Sequence, residues 1–336
     1  MAVVMAIGII VHGVLSNYFG TENMQDYSKL LSIFNISLWV AFFVSLLLAF
    51  RDKQFKKIHY EQTINRFGMG TWVAGTSICS ILICNNFPEW LLFVKFTTCL
   101  NVVLWLIYIY ICIVSFIDIF KLKLRENVHG ILLLTTVSTQ SLVLLLNTVF
   151  KGEVPLIITI TLITLGICFY FICASLIISR YVRGFSNIQL EIEWKNTNCI
   201  LHGAVSITGL ACILSNVTTQ ITITSIWIIA ASVFFLVELV EIYRLIRRVK
   251  RFGVTSGIFV YDVTQWSRIF TFAMFYAFTF KGFSTKEGFL SHAQSIIIDA
   301  GIWVILLLLL VEFILGIKAT ITNYRINHTK VSGITG

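Results

Sequence analysis

The chain has 336 residues, 57% hydrophobic and 12% charged, with a formal net charge of +9. A soluble domain of that size needs more polar surface than this composition supplies, so lipid is the expected solvent. The positive balance does not indicate nucleic acid, because the basic residues fall in short clusters between apolar runs and read as topology signals.

Apolar runs, each long enough as a helix to cross a hydrocarbon core of about 30 Å, predict an all-α membrane protein of ten transmembrane helices. They fall near 1–20, 28–50, 68–87, 90–119, 129–150, 154–180, 197–216, 221–246, 258–283 and 293–317. The first run starts at Met1 with no small-residue cleavage site after it, so it is expected to stay as helix 1 rather than act as a signal peptide. Ser, Thr, Gly and a charge dilute the signal in helices 7 and 9. The expected organisation is a transmembrane domain over 1–318 and a short cytoplasmic tail over 319–336.

Lys and Arg set the predicted orientation, because cytoplasmic loops are enriched in them. Loop 2–3 holds Arg51, Lys53, Lys56, Lys57 and Arg66; loop 4–5 holds Lys121, Lys123 and Arg125; loop 6–7 holds Arg180, Arg183 and Lys195. Loop 8–9 adds Arg244, Arg247, Arg248, Lys250 and Arg251, and the tail adds Lys318, Arg325 and Lys330. The opposite loops offer only Lys29, Lys151, Lys281 and Lys286. Both termini are therefore expected in the cytoplasm, and the chain reads as five successive helical hairpins in a cell membrane.

Odd and even helices differ in character. The odd ones carry small and hydroxyl residues: Gly8 and Gly13 in helix 1, Gly68 to Thr76 in helix 3, Thr135 to Ser141 in helix 5, and Gly203, Ser206, Thr208 and Gly209 in helix 7. The even ones are mostly Leu, Ile, Val and Phe. Two readings stand: close helix packing through small residues, or an inner ring of odd helices around a polar-lined pore, screened by the even ones. On the second reading Gly8, His12, Gly75, Thr139, Gln140, Gly203 and Ser206 are candidate pore-lining residues. Helices 1, 3, 5 and 7 lack Asp and Glu through their centres; cation pathways and proton relays usually need such acids, so small anions are the expected cargo.

The isolated ionisable residues have structural alternatives. His12 and His202 read as packing histidines or functional ones; neither has a partner at metal-ligand spacing. Glu238 and Glu241 can pair with Arg244, Arg247 or Arg268, while Lys95, Asp299 and Glu312 lie near enough to helix ends to snorkel. Arg268, about two turns inside helix 9, pairs with helix 8 or concentrates anions in a cytoplasmic vestibule. The eight cysteines sit in or beside apolar runs without the loop spacing of a zinc site or disulfide framework, so no metal or cofactor is expected. HExxH, GxSxG, P-loop and dinucleotide-binding patterns are absent, which argues against an enzyme.

Five short motifs resemble the tellurite-resistance and dicarboxylate transporters, the family that includes the plant slow anion channels. They are Val4-Met5-Ala6-Ile7-Gly8-Ile9; Arg66-Phe67-Gly68 with Val73-Ala74-Gly75-Thr76; Val137-Ser138-Thr139-Gln140-Ser141; Gly203-Ala204-Val205-Ser206-Ile207 with Leu210-Ala211; and Trp266-Ser267-Arg268-Ile269-Phe270 with Met274-Phe275. All lie on odd helices and in the family's order. The resemblance implies a five-helix inner pore, a homotrimer with one pore per subunit, and transport of chloride, nitrate, malate or related anions. It also implies that Phe270, matching the family's helix 9 phenylalanine, plugs the pore. Thr271 stands where the family has a proline, and the whole chain holds only Pro88 and Pro155, so kinks are expected at Gly, Ser or Thr. A passive channel, a proton-coupled dicarboxylate carrier using His12, and a membrane sensor without transport remain the competing functions.

Overall fold

The computed structural model describes residues 1–52, 56–184, 189–282 and 289–332. Lys53 and Lys286 of the loop charges, and residues 333–336 of the expected tail, lie outside them. Ten membrane-length helices run through the described residues: α1 Ala2–Phe19, α2 Gln25–Arg51, α3 Thr63–Asn86, α4 Pro88–Lys121, α5 Gly130–Val149, α6 Leu156–Arg183, α7 Asn196–Ser215, α8 Gln220–Ile258, α9 Gln265–Gly282 and α10 Phe289–Ser332. No strand occurs among the described residues. All but α9 are individually long and apolar enough to cross a membrane, and α9 is one of the two helices whose sequence signal is diluted.

Several ends differ from the sequence reading for local reasons. Helix α8 continues twelve residues past 246, to Ile258, across a break at Gly253 (φ 77°, ψ 171°), a conformation open to glycine because it has no Cβ. Helix α9 starts at Gln265 rather than 258. Just before it, Asp262 Oδ1 accepts from Thr264 N at 2.9 Å and Thr264 Oγ1 at 2.7 Å, a turn that competes with helix. Helix α10 runs on to Ser332, so 318 is not a helix end. Helix α1 widens to a π-helix over Ile10–Leu15, and α3, α5 and α7 each open with a 3-10 turn. The distortions of the odd helices thus arise without proline.

Burial divides the helices into two layers. In α1, α3, α5 and α7 the most apolar stretch is 61, 72, 83 and 83% buried, whereas in α2, α4, α6, α8 and α10 it is 6, 28, 33, 22 and 17%. The contacts close a ring: α1 packs on α3, α3 on α5, α5 on α7, α7 on α9, and α9 back on α1. Each even helix packs outside on the odd helix before it, and α2, α4, α6 and α8 also touch the odd helix that follows. The outer faces keep Leu92, Tyr110, Phe171 and Ile221 exposed, as lipid contact requires.

Much of the ring's polarity faces outward and joins the layers. Trp39 Nε1 donates to Thr76 Oγ1 at 3.0 Å, Trp105 Nε1 to Thr139 Oγ1 at 3.0 Å and Trp227 Nε1 to Thr279 Oγ1 at 2.9 Å. Asn101 Nδ2 donates to Ser77 Oγ at 2.9 Å and Val73 O at 3.1 Å. Such bonds between helices in lipid contribute about 0.6 kcal/mol each on average. They account for hydroxyls that the sequence also allowed as pore lining.

Candidate functional site

At the centre of the ring lies a small enclosed cavity of about 10 Å³, lined by Ala2 and Met5 of α1, Thr71 of α3, Leu134 and Val137 of α5, Ile200 of α7, and Ser267 and Phe270 of α9. Every ring helix contributes, and no outer helix does. Room for about one water means that this centre is closed to a hydrated anion. Phe270 is 2% exposed, and its ring is the largest side chain at the constriction. Met5, Leu134, Val137 and Ile200 make the remaining wall mainly apolar, with hydroxyls only at Thr71 and Ser267.

These residues share a position along their helices. Ala2 opens α1, Thr71 follows the first α-helical residue of α3, Leu134 and Ile200 are the first α-helical residues of α5 and α7, and Ser267 is the third residue of α9. The cavity therefore sits near the N-terminal ends of α1, α5, α7 and α9, and more than two turns inside α3, whose 3-10 stretch begins at Thr63. Each of those four ends carries the positive end of a macrodipole, on the order of half an elementary charge, an electrostatic environment suited to an anion without any basic side chain in the wall.

The candidate lining residues lie elsewhere. Thr139 turns out of the ring to Trp105, and Gln140 Nε2 donates to Ile163 O of α6 at 3.1 Å. Added Cβ atoms at Gly8 and Gly203 would overlap Ile78 and Thr271 respectively, while one at Gly75 would lie 3.0 Å from Met1 Cε. These glycines serve close helix approach. Ser206 Oγ donates to His202 O at 2.8 Å within α7. His12 is exposed in the π-helical stretch of α1, with Asn85 Nδ2 3.3 Å from its Nδ1. None of the seven lines the central cavity. His202 is fully buried among Phe234 and Phe272, ring centroids 4.8 and 6.0 Å away, and takes the packing role.

Arg268 is not an open vestibule charge. Its Nη2 lies 2.9 Å from Glu241 Oε1 and its Nε 3.8 Å from Glu238 Oε1, both on α8. Glu241 also pairs with Arg244 at 3.2 Å and accepts from Trp194 Nε1 at 2.9 Å. Burial forces the cation to take acidic partners, and the resulting clamp fixes the start of α9 two residues before Phe270. Elsewhere at the same helix ends, Glu191 pairs with Arg247 and Arg251 at 3.2 and 3.1 Å, and Arg66 with Asp118 at 2.7 Å. The arginine clusters thus neutralise acids at these helix ends. Of the residues expected to snorkel, Asp299 is exposed, Lys95 Nζ sits 5.6 Å over the Phe150 ring, and Glu312 is buried beside an opening bordered by Tyr261 and Trp266.

The sequence matches the voltage-dependent anion channel family (SLAC1) across residues 1–317. The chain belongs to this family. No curated protein sequence matches it. Membership in the voltage-dependent anion channel family makes the chain a multi-pass membrane protein of the anion channel and transporter class, which is not a class of enzymes. Three cavity residues that composition missed, Met5, Val137 and Ser267, lie inside the short motifs on helices 1, 5 and 9. Depth was the signal: they fall in the same first two turns as Phe270.

Proposed function

We propose that the chain conducts small anions such as chloride, nitrate or dicarboxylates passively through the ring centre, with Phe270 as the gate. The carrying observation is a cavity that all five ring helices line, four of them near their N-terminal ends, and that one phenylalanine narrows. A positive, carboxylate-free wall favours anions, and its narrowness makes displacement of the ring a condition of passage. Assembly as a trimer, one pore per subunit, with both termini in the cytoplasm, belongs to the same reading.

The test is ion flux through purified protein in liposomes. Reversal potentials should follow the anion gradient, and flux should persist without a proton gradient. A reversal potential that tracks the cation gradient overturns anion selectivity; strict dependence on a proton gradient replaces the channel with the coupled carrier. Absence of flux at every potential, from protein that is folded and inserted, returns the sensor reading.

A further inference from the structure

A larger opening lies away from the ring, between the ends of α4 and α6. It measures about 850 Å³. Lys123, Arg125, Arg180 and Arg183 line it against only two acids, Glu126 and Glu193, so the lining carries an excess of positive charge. Arg180 is held in place: its Nη1 donates to Val128 O at 2.7 Å, its Nη2 lies 3.6 Å from Glu193 Oε2, and its side chain is only 10% exposed. Arg125 sits 4.7 Å over the Phe120 ring. Lys123 and Arg183 make no ion pair among the described residues.

Two further features point to a ligand. Lys123 adopts left-handed backbone geometry (φ 54°, ψ 35°), a conformation that Gly or Asn takes more readily. A lysine there places its charge at the opening at a backbone disadvantage. The opening also meets apolar surface: Phe120 and Leu176 belong to its wall, and Ile117, Ile178 and Val182 beside it are all exposed. A free anion gains nothing from that surface. A phosphate carrying acyl chains does.

We propose that this opening binds the phosphate headgroup of an anionic phospholipid, with the acyl chains along the exposed faces of α4 and α6. Basic pockets between membrane helices suit such headgroups, and guanidinium groups match phosphate oxygens in bidentate geometry. The site is separate from the ring centre, and its test does not depend on ion flux.

The experiment is native mass spectrometry of the purified full chain in neutral detergent, titrated with dioctanoyl phosphatidylglycerol, dioctanoyl phosphatidylcholine or inorganic phosphate. Phosphatidylglycerol should bind more tightly than the other two. Lys123→Gly and Arg183→Gln should each weaken it about fivefold, the effect of one basic residue near a membrane surface. Lys56→Gln/Lys57→Gln, on another loop, should leave it unchanged. Lys123→Gly should also fold at least as well as wild type, since glycine fits the backbone there, so it decides the matter even if Arg183→Gln folds poorly. Equal binding of the two lipids, phosphate binding as tightly as phosphatidylglycerol, or equal losses in the control and site variants would each overturn the proposal.

Discussion

Phe270→Ala gives the sharpest test of the gate. In the wild type the central cavity measures about 10 Å³, so on the proposed reading an anion passes only when the ring moves. Forcing a side chain out of a packed position costs about 1–3 kcal/mol. Removing the ring leaves a benzene-sized void, on the order of 100 Å³, with room for about three waters. Apolar cavities of that size can stay dry, but Thr71 and Ser267 give this one two hydroxyls and a reason to fill. Recovering about 1–3 kcal/mol of barrier corresponds to a flux increase of about 5- to 150-fold. Chloride or nitrate flux into liposomes, at equal reconstituted amounts, measures it. Phe272→Ala and Phe275→Ala are the controls, because those rings face α8: both pack on Phe234, and Phe275 also stacks on Trp227. A Phe270→Ala protein that inserts normally and conducts no better than wild type refutes the reasoning, as does equal opening by the controls.

Gly203→Ala should lower the melting midpoint by an amount equivalent to about 1–3 kcal/mol of overpacking, because its Cβ would overlap Thr271; adding Thr271→Gly should recover most of the loss, and an unchanged single variant contradicts the close α7–α9 approach. Glu241→Gln leaves Arg244 without its carboxylate and Arg268 with only the longer pair to Glu238 at 3.8 Å, and breaking a buried ion pair from one side costs about 3–5 kcal/mol; thermal unfolding in detergent should show a large drop, and none would mean that the clamp is dispensable. Glu191 lies in the loop between α6 and α7, where a hydrogen bond from its own backbone N–H, then Arg251 and Arg247, hold its carboxyl below the usual range. That depression makes its stabilisation complete above the unfolded carboxylate value, about 4.3, and lost as pH falls through the lower folded value. Glu191→Gln should therefore flatten the acid limb of a melting-midpoint profile, and a variant profile parallel to wild type would remove Glu191 as its cause.

The ten helices were legible because lipid imposes length and hydropathy on every crossing, and the inner and outer layers because small residues concentrate where helices approach closely. Individual lining residues were not legible. Thr139 and Gln140 are polar in a ring helix, which fits a wet wall or a bond to an outer helix equally well, and only the α5 rotation that carries them to Trp105 and Ile163 decides between the two. Arg268 posed a similar choice, resolved by its distance to Glu241. In each case the sequence fixes the chemistry of a side chain while packing sets its direction. Apolar wall residues such as Leu134 and Ile200 carried no chemical mark at all.

What the sequence did contain, in a form that composition obscures, is the direction of the ring helices. With an even helix between each pair, every odd helix starts on the same side of the membrane, so their N-termini must share one end of the bundle. Ring closure then brings those ends together, and the positive poles of their dipoles face a common axis without a basic residue being spent on the wall. A side-chain cation at that depth would be costly to desolvate and would hold an anion tightly; backbone dipoles distribute the attraction over several weak sites. Weak, distributed attraction suits passage better than binding, which gives a physical reason for arginines such as Arg268 to be paired away from the axis rather than facing it.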